Sequence, residues 1–125
     1  MLKPLACAAV LAVLVTGTAY AADPAMTGTT AKGPALVDSK GMTLYVFDKD
    51  PAGSSACYDA CAQNWPPLIA PGDAKTSGDF SVISRTGGAK QWAYKGKALY
   101  HWVKDAKPGD ATGDGFRGVW HIAKP

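Results

Sequence analysis

The feature that most constrains this chain is a motif that occurs twice, 55 positions apart. The segment Gly41–Asp50 aligns without gaps on Gly96–Asp105, and Gly, Leu, Tyr, Lys and Asp recur in the same register. The register extends further, because Trp65 matches Trp120 at the same spacing. Such a repeat indicates that one supersecondary unit is used twice and that stacking of the copies completes the fold.

Each copy begins with the pattern of a β-hairpin. Gly41 and Gly96 stand in the predicted turns, where glycine is free to adopt positive φ. Strand-like runs flank the turns, rich in β-branched and aromatic residues, at 35–37, 42–47, 91–93 and 97–103. Further strands are predicted at 79–84 and 119–123. All ten acidic residues are Asp, and the 14 Gly and 9 Pro favour turns and strands over long helices.

These patterns predict a mainly β fold of two tandem antiparallel hairpin-based repeat units in one small domain, 34–125. The repeats span about 36–68 and 91–123. One short helix is expected near Cys57 and Cys61, capped by Ser54 or Ser55 and ended by Pro66-Pro67.

The N-terminal residues have the pattern of a secretory signal. Lys3 precedes an apolar run of 11 residues, Leu5–Val15, and Ala19-Tyr20-Ala21 forms an A-x-A site. The run is shorter than the roughly 20 residues that a membrane span needs. We therefore predict a signal peptide over 1–21, cleavage near Ala21, and a periplasmic or secreted product. Residues 22–33 lack an apolar period and are predicted to be a flexible leader.

Two segments fit the pattern Y-x-[FWY]-x-x-D, one from Tyr45 to Asp50 and one from Tyr100 to Asp105. With Cys57-x-x-x-Cys61 and the later Val119-Trp120-His121, the chain resembles the bacterial secreted-repeat proteins, often described as predicted lipoproteins. The resemblance implies export and a repeated fold, and it implies no specific activity. Family members with a lipobox are membrane-anchored. Cys7 lies at the start of the apolar run, where cleavage would leave the run on the mature protein, so anchoring is not expected here.

The repeated residues are interpreted as structural, because a residue doubled by repetition usually serves the repeated fold. Each Asp is expected to accept backbone amides at a strand exit. The set comprises Tyr45, Phe47, Asp50, Trp65, Tyr100, Trp102, Asp105 and Trp120.

Cys57 and Cys61 allow two interpretations. Four positions apart on a helix, they share a face with Cα atoms about 6 Å apart, and an exported chain favours a structural disulfide. Alternatively, the pair stays reduced and binds copper with a histidine. His121 is preferred over His101 for that metal set, since it belongs to the V-W-H signature. The Asp-rich loop 105–114 lacks EF-hand spacing and is interpreted as a tight turn, with an irregular calcium site left open.

Without Lys3 of the predicted signal peptide, the formal charge falls from +3 to +2, which is too small and too dispersed to indicate nucleic-acid binding. The sequence contains no recognisable nucleophile or metalloprotease motif. We therefore expect a non-catalytic envelope or periplasmic module, without a cofactor, that binds an unidentified ligand or protein partner. The alternative is a periplasmic copper-binding or redox protein that uses Cys57, Cys61 and His121.

Overall fold

The computed structural model describes residues 23–125, and the predicted signal peptide and its cleavage site lie outside them. The fold is mainly β, with small antiparallel sheets and one short helix, as predicted. The elements are β1 Met26–Thr30, β2 Gly33–Val37, β3 Tyr45–Phe47, α1 Ala60–Asn64, β4 Ile69–Ala70, β5 Phe80–Ser84, β6 Lys90–Tyr94, β7 Lys97–Ala98, a 3₁₀ turn Phe116–Gly118 and β8 Trp120–Ile122.

The strands form three small sheets. β1 pairs with β2 and β3 pairs with β8, while β4, β6 and β5 lie side by side in that order and β7 joins the free end of β6. All pairings are antiparallel. The strand predicted over 42–47 is shorter in the structure, where β3 covers only Tyr45–Phe47. The reason is that Leu44 bonds two different neighbours, β2 through its N–H and the segment after β8 through its carbonyl. There the Leu44 N–H donates to Leu36 O, and Leu44 O accepts from Ala123 N–H.

The two repeats are joined at Tyr45 and Tyr100. The N–H of each residue donates to the carbonyl of the other, at 2.8 and 2.9 Å. Tyr45 also pairs with Ile122, and Tyr100 pairs with Pro67 at the equivalent position of the other repeat. Because each tyrosine pairs with its own counterpart, an approximate two-fold axis relates the repeats and passes between these two residues.

Strand alternation sends neighbouring side chains into two separate cores. Tyr45 and Tyr100 belong to the larger cluster, which contains the buried tryptophans. Leu44 and Leu99 point the opposite way, into a smaller cluster with Phe80. The duplicated Leu-Tyr pair therefore contributes to both cores in each repeat.

The segment predicted to be a flexible leader over 22–33 differs in the structure. Met26–Thr30 forms β1, which pairs with β2 from Met26 opposite Val37 to Thr30 opposite Gly33. The strand lacks an apolar period because it lies at a sheet edge, where most of its side chains are exposed. Its order comes from backbone pairing and from Gly28, whose missing side chain leaves room for Val37.

Within residues 23–125, no helix has the length and apolar character needed to cross a membrane.

Candidate functional site

The conserved spacing of Tyr and Asp in the two repeats produces a crossed pair of hydrogen bonds. The Tyr45 hydroxyl donates to Asp105 Oδ2 at 2.6 Å, and the Tyr100 hydroxyl donates to Asp50 Oδ2 at 2.6 Å. Each tyrosine therefore bonds the aspartate of the other repeat, and not the one five residues further along the chain in its own repeat. These two bonds join the repeats on both sides of the approximate axis.

The second oxygen of each aspartate closes a loop. Asp50 Oδ1 accepts the Ala56 N–H at 2.7 Å, and Asp105 Oδ1 accepts the Thr112 N–H and hydroxyl at 3.0 and 2.7 Å. Burial and the bonded carboxylate raise the pKa of Tyr45 and of Tyr100 far above the ordinary value, so both hydroxyls stay protonated. Burial also raises the pKa of Asp50, against the hydrogen bonds from Tyr100 and Ala56.

Four aromatic rings form a continuous stack across the axis. Trp65 and Trp120 lie at its centre, with ring centroids 3.9 Å apart and planes 2° apart. Phe47 stacks on Trp120 at 4.2 Å, and Trp102 stacks on Trp65 at 4.0 Å. Tyr45 and Tyr100 meet the central rings edge-on. The repeat predicted equivalent environments for the two central tryptophans; their direct stacking requires the tertiary fold.

A groove of about 300 Å³ opens along the edges of this stack. Its walls consist largely of residues that correspond between the repeats: Phe47 and Trp102, Cys61 and Phe116, Asn64 and Val119, Trp65 and Trp120. The groove therefore lies close to the two-fold axis, and differences between the repeats make its two sides chemically distinct.

The charged residues of the groove are all cationic. Lys49 and Arg117 line it together with the aromatic and neutral side chains, and no carboxylate belongs to its lining. Arg117 has a left-handed backbone conformation, with φ 52° and ψ 20°, and its guanidinium lies 5.2 Å from the centroid of the Phe116 ring. A non-glycine residue in this region of φ and ψ is strained, and such strain concentrates at functional sites.

Cys57 and Cys61 form a disulfide with an S–S distance of 2.04 Å and a Cα–Cα distance of 5.3 Å. Cys57 is fully buried, whereas Cys61 is half-buried and lines the groove. The expected placement of both on one helical face is wrong, because α1 begins after Cys57, with Asp59 at its N-cap position and no side-chain capping hydrogen bond. Asp59 has φ 55° and ψ −123°, so the chain reverses between the two cysteines.

Ser54 and Ser55, the predicted helix caps, are displaced from that role by the same reversal. Ser55 instead joins a buried polar network that sequence reasoning missed. The Tyr100 proton is used on Asp50, so the Ser55 hydroxyl donates to Tyr100 Oη, at 2.7 Å.

Arg85 is the centre of this network and is only 8% exposed. Its guanidinium donates to Ser55 Oγ at 2.9 Å, to Gln91 Oε1 at 2.8 Å and to Cys57 O at 2.7 Å. It also lies 4.3 Å from the centroid of the Tyr58 ring. A single arginine directly after the strand predicted over 79–84 gave no sequence signal of burial. Its network holds the segment around the disulfide against β6.

The structure does not gather the predicted copper ligands. His121 Nε2 lies 2.7 Å from Asp48 Oδ2, and His101 Nε2 lies 2.8 Å from Asp38 Oδ2. Within residues 23–125, no group of three or more His, Cys, Asp or Glu side chains is arranged to hold a metal ion. The set Cys57, Cys61 and His121 is therefore not assembled in the disulfide-bonded form described here.

The three carboxylates of the Asp-rich loop are used by the loop and its neighbours. Asp105 bonds Tyr45 and Thr112, Asp110 accepts the backbone N–H groups of Ala106 and Lys107, and Asp114 accepts the Ile122 N–H. The arrangement has the local hydrogen bonds of a tight Asp/Gly turn.

Comparison with known proteins identifies the family of this chain. A family model described as a secreted repeat of unknown function matches residues 26–69 and again residues 81–124. The two matches begin and end with the same 55-residue offset as the sequence repeat. No curated protein and no solved structure matches the chain.

Proposed function

Because this chain belongs to the family of secreted repeats of unknown function, we propose that it is an exported, non-catalytic binding module. Its site is the groove along the aromatic stack, and its ligand is a flat apolar molecule that carries an anionic group. The observation that carries this proposal is the combination of an aromatic lining, in which Phe47 and Phe116 are partly exposed, with Lys49 and Arg117, in a groove whose lining contains no acidic residue.

The size and chemistry of the groove suit a small molecule. Ligand sites are concave, mostly apolar, and contain a few polar groups that orient the ligand, with volumes from about 300 Å³ upward. The groove is at the lower end of that range, at about 300 Å³. A bicyclic aromatic acid fits this description, since its rings contact Phe116 and Trp102 while its carboxylate reaches a cation.

The duplication explains why a rigid site arises at this position. The stacked tryptophans and the crossed Tyr–Asp bonds hold both walls in one orientation. A rigid, preformed wall reduces the free energy spent on ordering side chains when a ligand binds. The repeats differ where Ala62 in one corresponds to Arg117 in the other, which places a cation on one side only.

We further propose that export removes residues 1–21 and delivers the domain to the periplasm. The sequence pattern of a charged start, an apolar run and an A-x-A site supports this proposal. Intact mass of the protein purified from the periplasm tests it. A mass that begins at Ala22 without lipid agrees with the proposal, and a lipid adduct or retained N-terminus contradicts it.

Naphthalene-2-carboxylate is a suitable probe for the groove, with binding followed by tryptophan fluorescence. The cationic analogue 2-naphthylmethylammonium has the same rings and opposite charge, and should bind at least about fivefold more weakly. Lys49→Ala and Arg117→Ala should each weaken naphthoate binding roughly three- to tenfold, as expected for loss of about 1 kcal/mol from a solvent-accessible ion pair.

Lys104→Ala is the matched control, because Lys104 corresponds to Lys49 in the other repeat and does not belong to the groove lining. Its affinity for naphthoate should equal that of the wild type. Equal binding of the two naphthalene probes, or equal effects of the Lys49 and Lys104 substitutions, would show that the groove is not an anion site.

A further inference from the structure

We propose that the Cys57–Cys61 disulfide is a thiol-exchange site that opens onto the groove and accepts two electrons from a dithiol reductant. This inference goes beyond ligand binding. It rests on four observations: the unequal exposure of the two cysteines, the absence of a disulfide at the corresponding positions of the other repeat, the cations near the two cysteines, and the strained residue inside the disulfide ring.

The two cysteines differ in access. Cys61 is half-buried and lines the groove, whereas Cys57 is fully buried in the larger core. Exchange requires in-line approach of a thiolate to one sulfur, and access decides which sulfur is attacked. The groove therefore selects Cys61 Sγ as the point of attack and Cys57 as the leaving group.

The second repeat has no cysteines at the corresponding positions. Thr112 and Phe116 stand at the positions of Cys57 and Cys61, and Phe116 packs against Trp65 and Trp102. In the first repeat the loop has noncovalent support as well, from the Ala56 N–H to Asp50 and from Arg85 to Cys57 O. The fold thus has the means to keep its shape when the disulfide opens.

Three cationic side chains lie near the two cysteines. Lys49 and Arg117 share the groove with Cys61, and the buried Arg85 guanidinium lies 2.7 Å from the Cys57 carbonyl oxygen. Cations near a cysteine stabilise its thiolate and make it more reactive. Here the groove cations favour the approach of an anionic thiolate to Cys61.

Asp59 lies inside the ring that the disulfide closes. Its φ of 55° with ψ −123° is a conformation that residues with a side chain rarely adopt. Opening the ring removes the constraint that helps to hold this conformation. Strain in the closed form favours reduction, as expected for an exchangeable disulfide rather than one that only reinforces a fold.

The proposed exchange has two steps. The first thiolate of the dithiol attacks Cys61 Sγ, a new S–S bond forms there, and the Cys57–Cys61 bond breaks with the electron pair going to Cys57 Sγ, which takes a proton from water. The second thiolate of the reductant then attacks the reductant's first sulfur and releases Cys61 as a thiolate, which takes a second proton from water. The chain gains two electrons and two protons, and the dithiol becomes a cyclic or intramolecular disulfide.

Reduced glutathione is the probe for the first step, with the wild-type protein quenched by acid and the modified cysteine mapped by mass spectrometry. We expect a glutathione adduct on Cys61 and none on Cys57, with an unchanged near-ultraviolet circular dichroism spectrum. Dithiothreitol then tests the complete two-electron reduction.

Single variants give the matched comparison. In Cys57→Ser the free Cys61 should react with Ellman's reagent about tenfold or more faster than the free Cys57 of Cys61→Ser, since both variants lose the disulfide and only access and charge differ. Arg117→Ala should shift the pH profile of the Cys61 reaction to higher pH, and Lys104→Ala should leave it in place.

Three results would overturn the proposal: a disulfide that glutathione leaves intact in the folded protein, adducts on both cysteines in equal amounts, or loss of the native spectrum on reduction. Adduct mapping uses the unmodified chain and holds even where a variant fails to fold. Naphthoate binding is measured on the oxidised protein and needs no free thiol, so failure of either proposal leaves the other standing.

Discussion

Trp65 stacks face to face on Trp120, its own counterpart in the other repeat, with ring centroids 3.9 Å apart. Contact between identical positions is the signature of a two-fold relationship, and here it occurs within one chain. Phe47 and Trp102 extend the stack on either side. The central pair is thus both the middle of the core and the floor of the groove.

Gly113 makes the stack possible, because a Cβ at this position would lie 2.7 Å from Trp65 Cη2 and 3.0 Å from the Trp102 ring. We expect Gly113→Ala to lower the free energy of unfolding by about 1–3 kcal/mol, the usual effect of overpacking a core. Gly72→Ala is the control, since nothing lies within 4 Å of its Cβ position. Urea unfolding followed by tryptophan fluorescence measures both; equal stability of the two variants would contradict the close packing.

The crossed Tyr–Asp hydrogen bonds should contribute substantially to the free energy of unfolding. Tyr45→Phe removes the hydroxyl that donates to the buried Asp105 and should cost about 1–3 kcal/mol of unfolding free energy. A double-mutant cycle with Asp105→Asn should give a coupling of about 1 kcal/mol or more. Tyr45→Phe with Asp50→Asn serves as the control cycle, because Asp50 bonds Tyr100 instead. Equal coupling in both cycles would argue against the crossed arrangement.

Lowering the pH should change the contributions of Asp38 and Asp50 to stability in opposite directions. Burial tends to raise the pKa of Asp38, but hydrogen bonds from Met42, His101 and Lys40 outweigh it, so the folded pKa lies below the ordinary 3.8. The stability that Asp38 contributes is therefore fully present above pH 3.8 and is lost as the pH falls through the lower folded value. Asp38→Asn should remove this loss.

Asp50 has the opposite sign, because burial raises its folded pKa above 3.8. The folded state binds the proton more tightly, so the Asp50 contribution to stability increases as the pH falls through the raised folded value toward 3.8. Urea unfolding between pH 3 and pH 6 measures both effects. As the pH falls, the free energy of unfolding should decrease less steeply in Asp38→Asn and more steeply in Asp50→Asn than in the wild type. The same change in both variants would contradict the opposite pKa shifts of the two aspartates.

Arg85 should be the most sensitive cation of the domain. Arg85→Met leaves Gln91 Oε1 and Cys57 O without their donor and removes one of the two donors to Ser55 Oγ, so we expect a loss of about 2–5 kcal/mol from these buried polar groups. Lys90→Met is the control, since its contact with Ser84 is exposed and long, at 3.4 Å. Thermal unfolding compares the two variants. If Lys90→Met destabilises the protein as much as Arg85→Met does, the buried network does not contribute specifically to stability.

Much of the architecture was predictable from local pattern. The hairpin turns at Gly41 and Gly96, the strand over 80–84 and the short helix near Cys61 follow from turn chemistry and alternation, which act over a few residues. β1 was missed because an exposed edge strand is held by backbone hydrogen bonds and needs no apolar period. Arg85 was missed because burial of a charge depends on partners from distant segments, here Ser55, Cys57 and Gln91.

The repeat by itself determined that this protein uses one unit twice, with Tyr45, Asp50 and Trp65 matched by Tyr100, Asp105 and Trp120. Only the tertiary structure decided how those positions meet: each tyrosine bonds the aspartate of the other repeat, and the two tryptophans stack on one another. The physical reason is that spacing along a chain specifies local geometry, whereas the two-fold packing of the copies is selected by burial of the rings they share. That packing also places Cys61, Lys49 and Arg117 in a single groove, which no spacing in the sequence indicates.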